Sequence, residues 1–449
     1  GEVCGRGRRR GAHSARVPGR SAVRPSPERA RLRALGSSPA VVAGGPQSPP
    51  DAGARLRGRD IVCVGFADWR TDLWTNQHHL MSRLARDNRI LFVESLGLRQ
   101  PRLAGRDVGR MARRLRRGLA PPRAADGLHV LSPLVLPLHR FAAARAVNRR
   151  LLPALVGRAT RRLGLRRPIL WAYVPQAEVL VEGLDPSLVV YHCVDDIAAQ
   201  PGVAAADFRA AESRFAATAD LVLASAPGLA ERLRGVAANV LYAPNVADTA
   251  RFAAALEPGP VDVALQALPR PRAVFTGAVV SSKLDMELIA AVARRRPAVS
   301  FALVGPVGPG DPLTDVSLLE AEPNVHLLGG RDYAELPAVL RGADVGLIPY
   351  ARNELTASIF PMKVYEYLAA GLPVVATELP SIAGVAEVAT ASDPEAFAVA
   401  VDRALADGGA EARARRSRAA AGHSWDARLA EIATAVEALP PRPPAEARR

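Results

Sequence analysis

The chain has 449 residues, of which 49% are apolar, so it is too long for one ordinary core and two domains are expected. Residues 1–57 hold 12 Arg against three acidic residues, so they carry +9 of the net charge of +15 and leave +6 for residues 58–449. A folded part that is only mildly basic disfavours a nucleic-acid-binding face, and no apolar run approaches the ~18 residues that a membrane span needs.

The first segment of the chain differs from the rest in composition. Residues 1–57 are rich in Gly, Pro, Ser and Arg and poor in large apolar residues, which predicts a disordered basic extension. This extension lacks the apolar core of a signal peptide. Cys4, Cys63 and Cys193 are far apart and show no metal-ligand spacing, as is typical of a reducing cytosol. We therefore expect a cytoplasmic protein.

From residue 60 onwards, short apolar stretches alternate with helical ones, which predicts parallel strands covered by helices on both faces. A first helix is predicted through "HHLMSRLA", capped by Thr75 or Asn76. The strands predicted in this half are 60–66, 89–95, 168–174, 188–194, 220–225 and 239–245. Together they predict a first doubly wound domain over 58–255.

One segment of this half is unusually basic. Residues 99–123 carry nine Arg against a single acidic residue, Asp107. The segment is either a solvated loop or helix, or a basic amphipathic segment that docks on anionic lipid.

The pattern breaks over residues 247–271, which are Pro-rich and poorly periodic, and then restarts. The strands predicted in the second half are 272–277, 299–306, 324–329, 344–350 and 373–377, and the helices are 284–295, 361–370 and 394–407. This predicts a second doubly wound domain over 256–421, an amphipathic helix within 422–439 and a disordered tail over 440–449. The fold class expected is α/β, with two tandem Rossmann-like domains facing a cleft, where ligands bind beyond the carboxyl ends of the strands.

The 59 basic residues include only two lysines, and one lies in the first turn of the helix predicted over 361–370. Pro361 suits the start of that helix and Gly371 its end. Lys363 would then face the positive end of the helix dipole, which disfavours a cation unless an anion lies beside it. An ammonium beside free N–H groups makes a phosphate site. A surface pair with Glu366 is the alternative, although the better order for such a pair places Glu first.

The second lysine, Lys283, lies at a similar place in the chain. It follows the strand predicted over 272–277, whose Gly277 would let a ligand approach the backbone, and it precedes the helix predicted over 284–295. Gly305 marks a third loop at the same edge of the sheet. The alternative for Lys283 is a solvated loop lysine.

The stretch "FPMKVYEYLAAGLPVVAT", residues 360–377, resembles the donor-site signature of GT-B glycosyltransferases, and more narrowly of family 4 and related bacterial cell-surface polysaccharide enzymes. The segments "FTGAVVSSKLD", "FALVGP", "NVHLLG", "LPAVLRGADVGLIPY" and "HSWDAR" match in the same order. The resemblance runs through most of the chain after residue 60 and is specific in the second domain.

The resemblance implies roles for individual residues. Gly277, Lys283 and Lys363 would line the diphosphate of a nucleotide-sugar donor, and Glu366 would accept hydrogen bonds from the ribose hydroxyls. Gly305, Ser358 and Pro361 complete the set of predicted donor-binding residues. The helix over 424–439 would cross back onto the first domain.

Two positions depart from the family pattern. Ser358 stands where the family often has a glutamate that touches the donor sugar, and a hydroxyl cannot replace the charge of a carboxylate. Residues 244–246 are Pro-Asn-Val where Pro-Asn-Gly is usual. The sugar that is transferred is therefore left open.

The reaction implied is transfer of a sugar to an acceptor hydroxyl, with retention, in cell-surface polysaccharide or glycolipid synthesis. Two lysines and two helix starts could stabilise the leaving diphosphate without a metal. Val-Asp-Asp at 194–196 is not the spaced Asp-x-Asp that holds a divalent ion. We therefore expect no metal and no cofactor besides the donor, and we assign no catalytic base.

The first domain would supply the acceptor side of the cleft. Asp68 and Trp69 follow its first strand, His79 opens the next helix, and Asp195 ends a strand at the cleft edge. Each of these residues could contact an acceptor, or could simply cap or pack a helix.

The partners expected are a nucleotide sugar and a sugar, lipid-linked or small-molecule acceptor, with no nucleic acid. If residues 99–123 bind lipid, the protein is peripheral at the inner face of the membrane. The alternatives are a sugar-nucleotide epimerase or phosphorylase of the same fold and, in a different class, an Arg-rich nucleic-acid-binding protein.

Overall fold

The computed structural model describes residues 54–71, 74–95, 120–133, 142–200, 202–309, 311 and 313–448. The predicted disordered extension therefore lies outside the described residues except at 54–57, and so does the basic segment 99–123 except at its end. In the described part of the chain, no helix combines the length and the apolar character needed to cross a bilayer.

The N-terminal lobe is built on a sheet of eight strands. They are β1 (Asp60–Val64), β2 (Arg89–Val93), β3 (Arg123–Ala125), β4 (Leu128–Leu131), β5 (Ile169–Ala172), β6 (Leu188–Cys193), β7 (Leu221–Ala224) and β8 (Val240–Tyr242). Their order is β3-β4-β2-β1-β5-β6-β7-β8, and every neighbouring pair is parallel except the antiparallel pair β3–β4. Among its described residues, the helices of this lobe are α1 (Asn76–Leu84), α2 (Ala142–Arg162), α3 (Val181–Leu184), α4 (Ala205–Thr218) and α5 (Pro227–Arg234), with 3-10 turns at Pro175–Leu180 and Ile197–Ala199.

The C-terminal lobe is built on a six-stranded, fully parallel sheet. Its strands are β9 (Arg272–Thr276), β10 (Ser300–Val304), β11 (Val325–Leu327), β12 (Val345–Ile348), β13 (Val374–Thr377) and β14 (Val388–Ala391), in the order β11-β10-β9-β12-β13-β14. The helices from residue 249 onwards are α6 (Thr249–Ala253), α7 (Val263–Gln266), α8 (Met286–Arg295), α9 (Ser317–Glu320), α10 (Leu336–Arg341), α11 (Glu354–Ala357), α12 (Lys363–Ala369), α13 (Pro394–Ala406), α14 (Ala410–Ala420) and α15 (Trp425–Glu437). Short 3-10 turns lie at Ala254–Leu256, Pro380–Ile382 and Ala445–Arg448.

The strand order places a topological switch point in each sheet. In the C-terminal lobe the chain winds outward from β9 to β11 on one side and from β12 to β14 on the other, so the switch lies between β9 and β12. Open α/β sheets bind ligands beyond the carboxyl ends of their strands at this point. The loops that follow Thr276 and Ile348 are therefore where a ligand is expected.

Burial explains why these segments form strands. Strands β5, β6, β7, β9, β10, β12 and β13 are buried along their whole length, as expected for parallel strands covered on both faces. The prediction of two α/β doubly wound domains is therefore confirmed. The short hairpin β3–β4 and the edge strand β14 were not predicted.

The two lobes are joined by contacts of Asn245, just after β8, and of the last helix. Asn245, which follows β8, accepts a hydrogen bond from Asn76 Nδ2 at 2.8 Å and donates to the Phe360 carbonyl at 3.0 Å. On the last helix, the Trp425 ring stacks on His79 with a centroid separation of 5.0 Å and an interplanar angle of 9°. Helix α15 thus packs against α1 of the N-terminal lobe.

The chain end is also held by the N-terminal lobe. The backbone N–H of Arg442 donates to the Ser187 carbonyl at 2.8 Å, and its guanidinium pairs with Asp220 at 2.6 Å. The expectation of a disordered tail over 440–449 does not describe Arg442. The reason is that its side chain finds a carboxylate at the start of β7, which composition alone does not reveal.

Candidate functional site

The loop after β9 makes close contact with the first residue of α12. Gly277 has φ of +131°, a conformation that side-chain-bearing residues rarely adopt. A Cβ at this position would lie 2.6 Å from Lys363 Cε and 2.7 Å from Lys363 Nζ. A Cβ on Gly305 would lie 1.8 Å from the Gly277 carbonyl oxygen. Both glycines are therefore required for the lysine to reach the end of β9.

Lys363 is the first residue of α12, a helix of seven residues that starts at 363 rather than at the expected 361. Its side chain is half-buried, and its ammonium lies 5.6 Å from the centroid of the Phe275 ring. Burial lowers the pKa of Lys363, and the Glu366 carboxylate partly offsets this effect. An anion in the adjoining space would stabilise the charged form.

Glu366 lies one turn along the same helix and is only 6% exposed. Burial raises the pKa of this carboxyl, while Lys363 opposes the rise. The Glu366 charge also contributes to the raised pKa of Tyr350, for which burial is the main cause. Lys363 lies beside the Glu366 carboxylate, but in the described part of the chain no cation forms an ion pair with it within 4.0 Å. The oxygens of Glu366 can therefore still accept hydrogen bonds from hydroxyl groups.

A buried tyrosine fixes α12 against the sheet. The backbone N–H of Thr276 donates to the hydroxyl oxygen of Tyr367 at 2.8 Å. This approach is possible because Gly346 on β12 has no side chain, since a Cβ there would lie 2.4 Å from the Tyr367 ring. Lys363 and Glu366 are thus carried by a helix that is anchored at the switch point.

Lys283 lies at the same edge, in the loop between β9 and α8. Its carbonyl accepts a hydrogen bond from Ala351 N–H at 2.8 Å, which ties the loop to the residues after β12. Across the gap between the lobes, burial raises the pKa of Asp195, and the charge of Lys283 counteracts this rise. The same lysine lowers the pKa of Tyr350 against the effect of burial. The charge of Lys283 therefore acts on titratable groups of both lobes.

The structure brings five of the seven predicted donor-side residues to one edge, namely Gly277, Lys283, Gly305, Lys363 and Glu366. The other two belong to the segment that leads into α12. Ser358 ends α11 and is half-buried, and Pro361 is buried just before the helix. Met362 caps the helix, and Pro361 lies just before it. The carbonyls of Pro361 and Met362 accept the hydrogen bonds that close the first turn.

The predicted acceptor-side residues have differing surroundings. Trp69 is 3% exposed, and its Nε1 donates to Asp126 at 2.8 Å, which makes it part of the core. His79 is 1% exposed and lies against Trp425. These placements favour the packing alternative that the sequence left open for both residues.

The remaining two acceptor-side candidates are more accessible. Asp68 is exposed after β1, and its carbonyl accepts from His78 Nε2 at 3.0 Å. Asp195 is half-buried after β6. Against the effect of burial, the charge of Lys283 lowers the pKa of Asp195, which links this candidate electrostatically to a donor-side residue.

Sequence reasoning missed three residues near this edge: Tyr350, Asn353 and Arg209. Tyr350 could have been found, because it ends a predicted strand at the switch point. Asn353 donates to the Ser282 carbonyl at 3.1 Å, and Arg209 reaches Glu354 of the other lobe at 2.6 Å. No sequence pattern signals either contact, since 71 and 145 residues separate the partners.

No cluster of three His, Cys, Asp or Glu side chains that could hold a metal ion is found within the described ranges. The arrangement at the edge is instead cationic, with one buried carboxylate. Chemically, it can bind a polyanion through two ammonium groups and hydroxyls through Glu366.

Two parallel-sheet, Rossmann-like lobes with the site at the switch point of the second define the GT-B fold class. Sucrose-phosphate synthase from Thermosynechococcus elongatus superimposes with a TM-score of 0.61 over 84% of this chain and 98% of that one, at 15% identity. The trehalose-6-phosphate protein of E. coli bound to UDP-2-fluoro glucose gives 0.59 over 86% and 100%, at 14% identity. HepE of Anabaena in complex with UDP gives 0.57 over 85% and 100%, at 14% identity. At these identities the likeness shows the fold.

Residues 270–407, which lie in the C-terminal lobe, match the family model described as Glycosyl transferases group 1. The putative teichuronic acid biosynthesis glycosyltransferase TuaH of Bacillus subtilis (strain 168) is 31% identical over 159 residues. That match covers 34% of this chain and 40% of TuaH, well under half of either protein.

Proposed function

We propose that the protein is a glycosyltransferase that moves a sugar from a nucleoside-diphosphate sugar to an acceptor hydroxyl. The observation that carries the proposal is the placement of Lys363 Nζ against Gly277, with Glu366 one turn further along the same helix. A cation and a hydroxyl acceptor at this spacing suit a diphosphate and the ribose beside it. The match of residues 270–407 to a glycosyltransferase family supports the same assignment.

In this reaction the site must stabilise the diphosphate as it leaves the sugar. The bond between the anomeric carbon and the diphosphate breaks, a new bond to the acceptor oxygen forms, and the acceptor proton is released. Negative charge develops on the diphosphate during this step. Lys283 and Lys363 would offset that charge without reorganising, because both are held at the carboxyl edge of the sheet.

UDP is the first nucleotide to test, because the solved structures of HepE and of the E. coli protein hold UDP or a UDP sugar. Family 4 membership, retention of configuration and independence of metal ions are part of the proposal. Retention is checked by NMR of the first-formed product, and metal independence by an unchanged rate in EDTA. The cationic edge supports metal independence, since it supplies the positive charge that a metal would otherwise provide.

The acceptor is proposed to be a sugar or a lipid-linked sugar in cell-surface polysaccharide synthesis, because TuaH is described as a putative teichuronic acid biosynthesis glycosyltransferase. We place the protein in the cytoplasm, peripheral at the inner membrane face through residues 99–123. The Arg content of that segment supports this placement. Equal co-sedimentation of the protein with neutral and with anionic vesicles would contradict the proposed membrane association.

The experiment that tests the function is calorimetry of the full chain with UDP, GDP, ADP, CDP and dTDP, followed by a transfer assay with the matching sugar nucleotide. We expect one diphosphate to bind in the micromolar range and its sugar nucleotide to be consumed only when a membrane extract supplies acceptors. Binding of none of the five would contradict the proposal. Consumption without acceptor would indicate a different reaction of the same fold.

A further inference from the structure

A side-chain bridge joins the lobes close to Lys283. Arg209 on α4 contacts Asp196 of its own lobe at 3.0 Å and Glu354 of the C-terminal lobe at 2.6 Å. We call Asp196, Arg209 and Glu354 the interlobe bridge. The Asp196 side chain is 6% exposed and that of Glu354 is 71% exposed, so the bridge runs from the core of one lobe to the rim of the other.

Asn353, the residue just before Glu354, connects this bridge to the loop of Lys283. Asn353 caps α11, since its Oδ1 accepts from Thr356 N–H at 2.9 Å. Its Nδ2 donates to the Ser282 carbonyl at 3.1 Å. The N–H of Ser282 donates to Asp311 Oδ2 at 3.0 Å. The backbone just before Lys283 is thus held on its N–H and on its carbonyl by side chains from two other loops.

We propose that Asn353 and Arg209 are positioning residues, which hold the Lys283 ammonium toward the diphosphate while the lobes are in contact. This inference rests on the proposed function. Asn353 acts directly on the backbone before the lysine. Arg209 acts through Glu354, because it fixes the turn in which Asn353 lies.

Preorganisation is the physical reason. An ammonium on a four-carbon stem has many rotamers, and a loop that moves adds to the entropy lost when the lysine binds an anion. Holding the backbone of Ser282 removes part of that loss before the donor arrives. The contacts to Asn353 and Glu354 are exposed, so each alone adds little to the free energy of unfolding. Their effect is expected on ligand affinity.

Asn353→Ser is the sharpest variant, because serine caps a helix as well as asparagine does but cannot reach the Ser282 carbonyl. The affinity for the diphosphate that binds best is measured for the parent, Asn353→Ser, Lys283→Ala and the double variant. We expect Asn353→Ser to weaken binding three- to tenfold in the parent and less than twofold in the Lys283→Ala background. An equal loss in both backgrounds would overturn the positioning role.

Arg209→Met tests the role of the interlobe bridge, and a second variant on the same helix serves as its matched control. Arg214 pairs with Glu178 inside the N-terminal lobe at 3.8 Å, so Arg214→Met removes an equivalent charge without touching the bridge. We expect Arg209→Met to weaken binding two- to fivefold only when Lys283 is present, and Arg214→Met to leave it unchanged. Equal effects of the two variants would contradict the inference. Absence of any diphosphate binding by the parent would instead contradict the proposed function.

Discussion

Among single residues, Lys363 is the one whose charge is disfavoured by two features of the fold. As the first residue of α12 it lies at the positive end of the helix dipole, and burial lowers its pKa, so both effects disfavour its charge. Glu366 compensates only in part. A lysine kept where its own fold disfavours it is best explained by an anionic ligand.

Lys363→Ala is predicted to remove charge-assisted bonding worth about 1.5–3 kcal/mol, which is roughly a ten- to hundredfold loss in transfer rate. The matched control is Arg295→Ala, because Arg295 is an exposed cation at the end of α8 that pairs with Glu395 at 3.1 Å. We expect the control to transfer sugar at the parental rate. A Lys363→Ala variant as fast as the parent, or a control equally slow, would show that this lysine has no special role.

The pH range over which the nucleoside-diphosphate sugar binds should be narrowed at its acid end and at its alkaline end. Burial raises the pKa of Glu366, so protonation removes the hydroxyl acceptor at a higher pH than for a free carboxyl. Burial lowers the pKa of Lys363, so its charge is lost at a lower pH than for a free lysine. Affinity titrated between about pH 4 and pH 10 should therefore fall at both ends.

Glu366→Gln is the variant that distinguishes the acid limb of the affinity–pH profile from the alkaline limb. It should bind more weakly at neutral pH and show no acid limb, because the glutamine amide does not titrate. The alkaline limb should remain. An acid limb that persists unchanged in this variant would assign the titration to another group.

At the level of elements, the site depends on how closely α12 approaches β9. Gly277→Ala would place a Cβ 2.7 Å from Lys363 Nζ and force alanine into a positive φ. We predict at least a tenfold loss of diphosphate affinity, together with a loss of stability of about 1–3 kcal/mol.

Gly384→Ala separates strain from contact in that experiment. Gly384 also has a positive φ, of +79°, but a Cβ there meets nothing within 4 Å. Its alanine variant should lose stability without losing affinity. Equal loss of affinity in both variants would mean that backbone strain alone explains the effect.

Much of this element architecture could be predicted from the sequence. Alternating buried strands and helices fix the order of elements, and the loops after Gly277 and before Lys363 could be placed at one sheet edge because parallel strands share a carboxyl end. The hairpin β3–β4 was missed because its strands are only three and four residues long. Edge strand β14 was missed because it is half exposed and lacks an apolar run.

Side-chain surroundings were harder to predict than elements. Trp69 follows a strand end and His79 opens the next helix, as ligand contacts would, yet both are buried by partners from distant segments. The contacts of Asn353 and Arg209 likewise join loops far apart in the chain. Such contacts depend on tertiary packing, which no local pattern encodes.

Across the whole molecule, the donor-side groups all come from the C-terminal lobe, whereas transfer requires both lobes. Trp425 is 1% exposed and joins the last helix to His79 of the N-terminal lobe. We predict that Trp425→Leu lowers the transfer rate by a larger factor than the affinity for the diphosphate. The physical reason is that loosening the contact between lobes leaves the donor groups in place.

Phe397→Leu is the comparison for that variant, because Phe397 is 2% exposed in the core of the C-terminal lobe on α13. Each substitution should cost a few kcal/mol of stability, about 1–3 by analogy with other core changes. Only Trp425→Leu should lower the transfer rate by a larger factor than it lowers the affinity for the diphosphate. If Phe397→Leu separates them equally, general destabilisation accounts for the result.

The most direct test of the account is a crystal structure with the nucleoside diphosphate that binds best. We predict that the Nζ atoms of Lys283 and Lys363 both lie within hydrogen-bond distance of diphosphate oxygens, with the ribose hydroxyls on Glu366. A diphosphate bound at the opposite edge of the sheet, or one that contacts neither lysine, would contradict the account.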